Sequence, residues 1–317
     1  MANLESKYDP EAASVVRTVD GNGDEMTVKY MDTLIGLSNV PSIIGRVDAF
    51  ATLPVRNDDI FLFAFPRSGT HLVFEIITLL LNNKTELSTL PKQDYQIELV
   101  SQDHLNNLPS PRLIDTHLPH QFFPKEALQH NKIVHVSRNP KDAYVSYYNL
   151  AYGMKLFEYD GKWDGYFEMI MGYQNQKILD YSDWFGIVLP WWKLSENHPN
   201  ILNVYYEDIV EEPVSQVQRI AEHIGNPKDG ATYQKIAEAT TFHSMKTKKR
   251  VEGFDLQFNT DEGDVWKAGT PGMYRKGQIG DWKNYFTVSQ NERFNAVYQC
   301  AMMHSGLQNI GNRYEWK

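Results

Sequence analysis

The chain has 317 residues, 42% of them hydrophobic and 22% charged, which excludes disorder as the default state and allows one large single-core domain or two small ones. Forty acidic side chains against 31 basic ones give a formal net charge of −9, which opposes indiscriminate attraction to nucleic acid or an anionic membrane, so an anionic ligand must be gripped by cations gathered locally. A single cysteine, Cys300, excludes an internal disulfide and thiolate-held clusters; with no basic-then-apolar leader and no run of ~18 apolar residues, the expectation is a cytoplasmic protein without membrane or nucleic-acid partners.

Residues 1–55 have weak periodicity, carry turn residues such as Asp20-Gly-Asn-Gly-Asp24, and are expected to pack on the domain as an arm, with residues 56–317 forming the domain itself. Ile60 to Phe65 is an unbroken apolar run suited to a strand buried on both faces, closed by Pro66. The helix predicted next has Leu72, Val73, Ile76, Ile77, Leu80 and Leu81 on one stripe and stops at Asn82-Asn83-Lys84. Arg112 to His117 reads as a short strand, stopped by Pro119. Lys132 to Ser137 reads as another, followed by Asn139 as N-cap, Pro140 at the first helical position and a helix through Tyr148. Ile201 to Tyr206 is a further strand signal, after which Pro213 opens a helix with Val214, Val217, Ile220, Ala221 and Ile224 inward and Gly225 at its end. Such alternation predicts a single α/β domain, a central parallel sheet flanked by helices, with ligands at the carboxyl ends of the strands.

Between the first of these strands and its helix lies Pro66-Arg67-Ser68-Gly69-Thr70-His71. Unpaired N–H groups of a first helical turn, the helix macrodipole, a glycine allowing close approach and a guanidinium together make an anion cradle. The loop is P-loop-like but shorter than G-x-x-x-x-G-K-[ST] and lacks its lysine, which argues against an ordinary ATP or GTP site and a kinase. Taken alone, it also reads as a Ser-Gly turn with a surface arginine.

The loop resembles the 5′-phosphosulfate motif of the cytosolic sulfotransferases of the sulfotransferase 1 type, and three further segments match that family in order. Arg138-Asn-Pro-Lys-Asp-Ala-Tyr-Val-Ser146 resembles the 3′-phosphate motif, Arg275-Lys276-Gly277 with Gly280-Asp281-Trp282-Lys283 the C-terminal nucleotide segment, and Thr116-His117-Leu118-Pro119 the segment of the catalytic histidine. The resemblance implies a sulfotransferase that uses 3′-phosphoadenosine 5′-phosphosulfate (PAPS) as donor, releases 3′-phosphoadenosine 5′-phosphate (PAP) and needs no metal. It implies His117 as general base, with Arg67 and Ser146 beside it in the catalytic group. The nucleotide would be held by Arg67, Ser68, Gly69, Thr70, His71, Leu72, Arg138, Ser146, Tyr206, Thr240, Phe242, Met245, Arg275, Lys276 and Gly277, and the acceptor by Asp115, Thr116 and His117.

Three departures from the family pattern stand out: Arg67 stands for a lysine, His71-Leu72 for Thr-Trp, and Asp115 for the lysine two residues before the histidine. Alternation along a strand puts Asp115 on the face of His117, which suggests that Asp115 orients or charges the imidazole. His117 and His120 make a poor metal pair, because Pro119 breaks the helix such spacing needs.

Segments near Leu90 to Val100, Tyr144 to Tyr152 and Val251 to Met273 are rich in Tyr, Phe, Trp and Met, which suits a small lipophilic acceptor such as a phenol, steroid or other alcohol, or an amine. Lys283 to Glu292 resembles the family's short dimerisation motif and implies a homodimer. The altered charges leave two other readings open: a dehydratase of the same fold that uses the bound nucleotide, and a nucleotide-binding module without turnover.

Overall fold

The computed structural model describes residues 16–28, 50–97, 100–172, 183–248 and 266–307. Its first two strands, β1 (Val16–Val19) and β2 (Glu25–Val28), pair antiparallel as a hairpin inside the stretch read from the sequence as an arm. The turn between them is held by Asp20, whose Oδ1 accepts from the backbone of Asn22 and Asp24 at 2.8 and 3.0 Å. The hydroxyl of Tyr159 donates to Oδ2 at 2.7 Å, and Gly21 N–H donates to Gly165 O at 3.1 Å, so the hairpin is fastened to the domain at its tip.

The central sheet contains β3 (Ile60–Ala64), β4 (Leu113–Thr116), β5 (Lys132–Ser137) and β6 (Ile201–Tyr205), all parallel in the order β4-β3-β5-β6. Every residue of β3 is buried, as its unbroken apolar run requires. Alternation splits that run between two cores. Phe61 and Phe63 join an aromatic cluster with Trp184, Trp191 and Trp192, while Leu62 and Ala64 join an aliphatic one with Val73, Ile76, Ile77, Leu80 and Val217.

The helices that position the site are α1 (Thr70–Leu81), α2 (Pro140–Gly153), α3 (Trp184–Ser195), α4 (Tyr206–Glu211), α5 (Pro213–His223), α6 (Phe242–Lys248) and α7 (Val288–Ser305). Asn139 caps α2 by accepting from Lys141 N at 3.0 Å, and the helix runs beyond Tyr148 to Gly153. Tyr206, read as the end of a strand, is the first residue of α4. Val217, Ile220 and Ala221 of α5 are buried as expected, and Val214 and Ile224 pack at the edge of the same core. Among the described residues no helix is long and apolar enough to cross a membrane.

The strand after β3 lies on one side of it and the next on the other, so the connections leave in opposite directions and open a crevice at the carboxyl ends of β3 and β5. Both the loop at 66–71 and Arg138 issue from those ends.

Candidate active site

At the end of β3 the backbone turns through Arg67 (φ 69°) and Gly69 (φ 107°) into α1, whose amino end no side chain caps. Gly69 is required twice over: its positive φ strains other residues, and a Cβ there would sit 2.7 Å from the ring of Tyr206. Ser68 is fully buried and its hydroxyl oxygen has no hydrogen-bond partner.

Arg67 reaches along the crevice. Its Nε donates to Ser146 Oγ at 3.2 Å and its Nη2 to Met273 O at 3.0 Å. Arg138, just past β5, donates through Nη1 to Arg67 O at 2.9 Å and through Nη2 to Gln278 O at 3.3 Å, with its guanidinium 4.5 Å over the Tyr206 ring. The Nε of Arg138 is buried and unpaired. Arg275 and Lys276 arrive on the following segment, each 2.6 Å from Asp281. Three distant stretches of chain thus bring their cations to one place, and burial together with the charges of Arg138 and Arg275 lowers the pKa of Arg67 to about 10.

These groups line a cavity of about 390 Å³. Of the residues assigned above to the nucleotide, all border it except Ser68, from Gly69, Thr70, His71 and Leu72 through Tyr206, Thr240, Phe242 and Met245 to Gly277. The ring of Phe242 lies directly against Gly277, at φ 65°, in space a Cβ would occupy.

His117 borders the same cavity, and its Nδ1 lies 2.8 Å from the carbonyl oxygen of Ala64. A carbonyl only accepts, so in the neutral ring Nδ1 carries the proton and Nε2 is the basic nitrogen. Asp115 and Thr116, expected at the acceptor, are fully buried and line no part of the cavity. They lie on edge strand β4, which the chain at 96–97 covers: Gln96 bridges to Asp115, and Ile97 N–H donates to Asp115 O at 3.0 Å. Orientation of His117 through Nδ1 therefore falls to Ala64, while the Asp115 carboxylate meets the ammonium of Lys92 in a buried ion pair.

Residues 57–306 match the family described as the sulfotransferase domain. The chain belongs to the sulfotransferase family. It is 36% identical to sulfotransferase 1B1 of Canis lupus familiaris over 265 residues, 80% of this chain and 86% of that one. Sulfotransferase 1A1 of Rattus norvegicus is 32% identical over 286 residues, 85% of this chain and 94% of its own. Among solved structures, a mouse sulfotransferase, SULT7A1, complexed with PAP superposes with a TM-score of 0.67 at 27% identity, covering 85% of this chain and 92% of that one. A retinol dehydratase in complex with retinol and PAP shares the fold, with a TM-score of 0.70 at 19% identity over 95% of each chain.

In this sulfotransferase the cavity wall is more polar than a purely lipophilic acceptor would need. Lys92, Gln93 and Gln96 line it alongside Tyr147, Leu150, Met154, Phe157, Met273 and Tyr274. The Oε1 of Gln93 is buried there without a partner. Residues 98–99 and 251–265 of the expected acceptor wall lie outside the described residues. Burial lowers the pKa of His117 from 6.5 to about 4; Asp115 and the Ala64 carbonyl act to raise it, Lys92 and Arg67 to lower it. Lys92 lies in the Leu90 to Val100 segment expected at the acceptor wall, but no motif singles it out, and Gln96 bridging to β4 is a tertiary contact with no signature in spacing.

Proposed function

We propose that this sulfotransferase transfers a sulfuryl group from PAPS to a hydroxyl or amine of a small acceptor, with His117 as general base. The observation that carries the reading is the convergence of Arg67, Arg138 and Arg275 at an uncapped helix start, beside a buried unpaired hydroxyl and a buried unpaired N–H. Like charges gathered so closely repel, and an anion is what reverses that cost.

PAPS supplies the activated sulfuryl group when bound. The loop N–H groups, Thr70 and Arg67 would hold its 5′ end, Arg138 and Ser146 its 3′-phosphate, and Phe242 and Tyr206 would pack on its base. Arg67 opposes negative charge growing on the leaving phosphate. Nε2 of His117 accepts the proton of the acceptor hydroxyl, its ring held in the required tautomer by Ala64. With its pKa near 4 the imidazole is neutral, and so able to accept a proton, throughout the physiological range.

The domain at 56–317 would act in the cytoplasm without nucleic-acid or membrane partners, as a homodimer through Lys283 to Glu292. In that segment Val288 is 77% exposed at the start of α7, next to the Thr287–Gln290 capping box.

The test is transfer of labelled sulfate from PAPS to a panel of phenols, alcohols and amines, with His117→Ala as control. Transfer abolished in the variant supports the reading. Absence of transfer to every acceptor by the parent protein refutes it.

A further inference from the structure

Asp115 places a carboxylate with no solvent exposure two residues from the imidazole at the cavity. An unanswered charge there would be costly to bury and would repel an anionic donor. Lys92 answers it from another element. The turn Lys92–Tyr95 is held along edge strand β4 by the Gln96–Asp115 bridge, which sets the register between them. The Lys92 side chain is 3% exposed, and its ammonium donates to Asp115 and, at 3.2 Å, to Gln96 Oε1 while bordering the cavity that His117 borders.

We propose that Lys92 is a positioning residue of sulfuryl transfer: with Asp115 it forms a fixed charge couple against His117 that sets the basicity of the imidazole and cancels the carboxylate's repulsion of the donor. The inference rests on the reading of His117 as the base. A chain that carried Asp115 alone would bind a proton on His117 more tightly; one that carried Lys92 alone would bind it more weakly. The charged groups acting on the ring are Asp115 on its own strand, Lys92 on the edge turn and Arg67 on the loop after β3, and the first two oppose each other.

The experiment is an NMR titration of the His117 ring in the full chain, assigned by loss of its signal in His117→Gln, alongside the acid limb of kcat/KM. Lys92→Gln keeps a hydrogen-bond donor for Asp115 but removes the charge, and the His117 midpoint should rise by about one pH unit, with the acid limb following. Asp115→Asn leaves the ammonium uncompensated, and the midpoint should fall by about the same amount. In the double variant it should return close to the parent value. Folding is checked by the melting-temperature rise on adding PAP, and if Lys92→Gln does not fold, Asp115→Asn decides. A midpoint unmoved in a folded variant overturns the proposal and leaves the pair merely structural. Because the ring titration needs no turnover, absence of sulfuryl transfer would count against the function alone.

Discussion

Nη1 of Arg138 donates to the backbone carbonyl of Arg67 across 2.9 Å, so the cation beyond one strand braces the loop beyond its neighbour. The same guanidinium reaches Gln278 O and stacks on Tyr206. Arg138→Ala removes all three contacts as well as a charge for the ligand. With charge-assisted hydrogen bonds worth about 1.5–3 kcal/mol, PAP affinity should fall roughly 10- to 150-fold, and calorimetric titration measures it. Arg138→Lys should recover only part of the loss, because an ammonium cannot make the forked contact.

Gly277→Ala should weaken PAP binding and lower stability together. The added methyl group meets the Phe242 ring, and φ 65° is strained for alanine. A penalty of about 1–3 kcal/mol is expected from overpacking alone. Thermal unfolding with and without PAP separates the two effects; a variant with parental melting temperature and parental PAP-induced shift would contradict the close packing of Phe242 on the glycine.

Stability should drop on acidification before most carboxylates titrate. Burial lowers the pKa of both His117 and His135 from 6.5 to about 4, against the opposing effect of the His135 Nδ1–H bond donated to Asn203 Oδ1 at 2.8 Å. Between these values the unfolded chain binds the protons that the folded chain refuses, so stability is complete above pH 6.5 and is lost as pH falls toward 4. Each histidine accounts for on the order of 3 kcal/mol over that window. Urea unfolding at a series of pH values checks the slope, and His135→Gln should make it shallower.

The division between what the sequence discloses and what it hides follows the range of the interactions. The loop at 66–71, Arg138 and Ser146 were readable because their placement is local: a strand end, a turn and the first two turns of a helix carry them to the crevice wherever the sheet stands. The sheet itself was readable from its apolar runs. The hairpin β1–β2 was not, since its four-residue strands show little alternation and its anchor is the distant Tyr159. Nor was α3, where Pro190 interrupts the pattern, Trp191 stacks on Phe63 of β3, Trp192 donates to Ser137 of β5, and Trp184 packs against Tyr298 of α7. Lys92 and the burial of Asp115 depend on an edge bridge between segments 19 residues apart, Gln96 to Asp115. No periodicity records such a bridge.

Asp142 shows how a residue that borders no part of the cavity can govern binding in it. It is buried in the first turn of α2, and its two oxygens accept from the backbone N–H groups of Gly280 and Trp282 at 2.7 and 2.9 Å. Those bonds hold the segment that carries Arg275 and Lys276, and Lys141 beside it packs its ammonium 4.2 Å over the Trp282 ring. Asp142→Asn can accept at only one position and turns an amide NH₂ toward the other N–H, which leaves a buried donor unsatisfied at a cost of about 1–3 kcal/mol. The expected result is a lower melting temperature and PAP affinity reduced roughly tenfold, through loss of order in 275–282, whereas Asp142→Ala should weaken PAP at least as much. Hydrogen exchange at Gly280 and Trp282 reads the cause directly: both amides should exchange faster in either variant, and weakened binding with those amides still protected would mean that Asp142 acts by its charge rather than by its two hydrogen bonds.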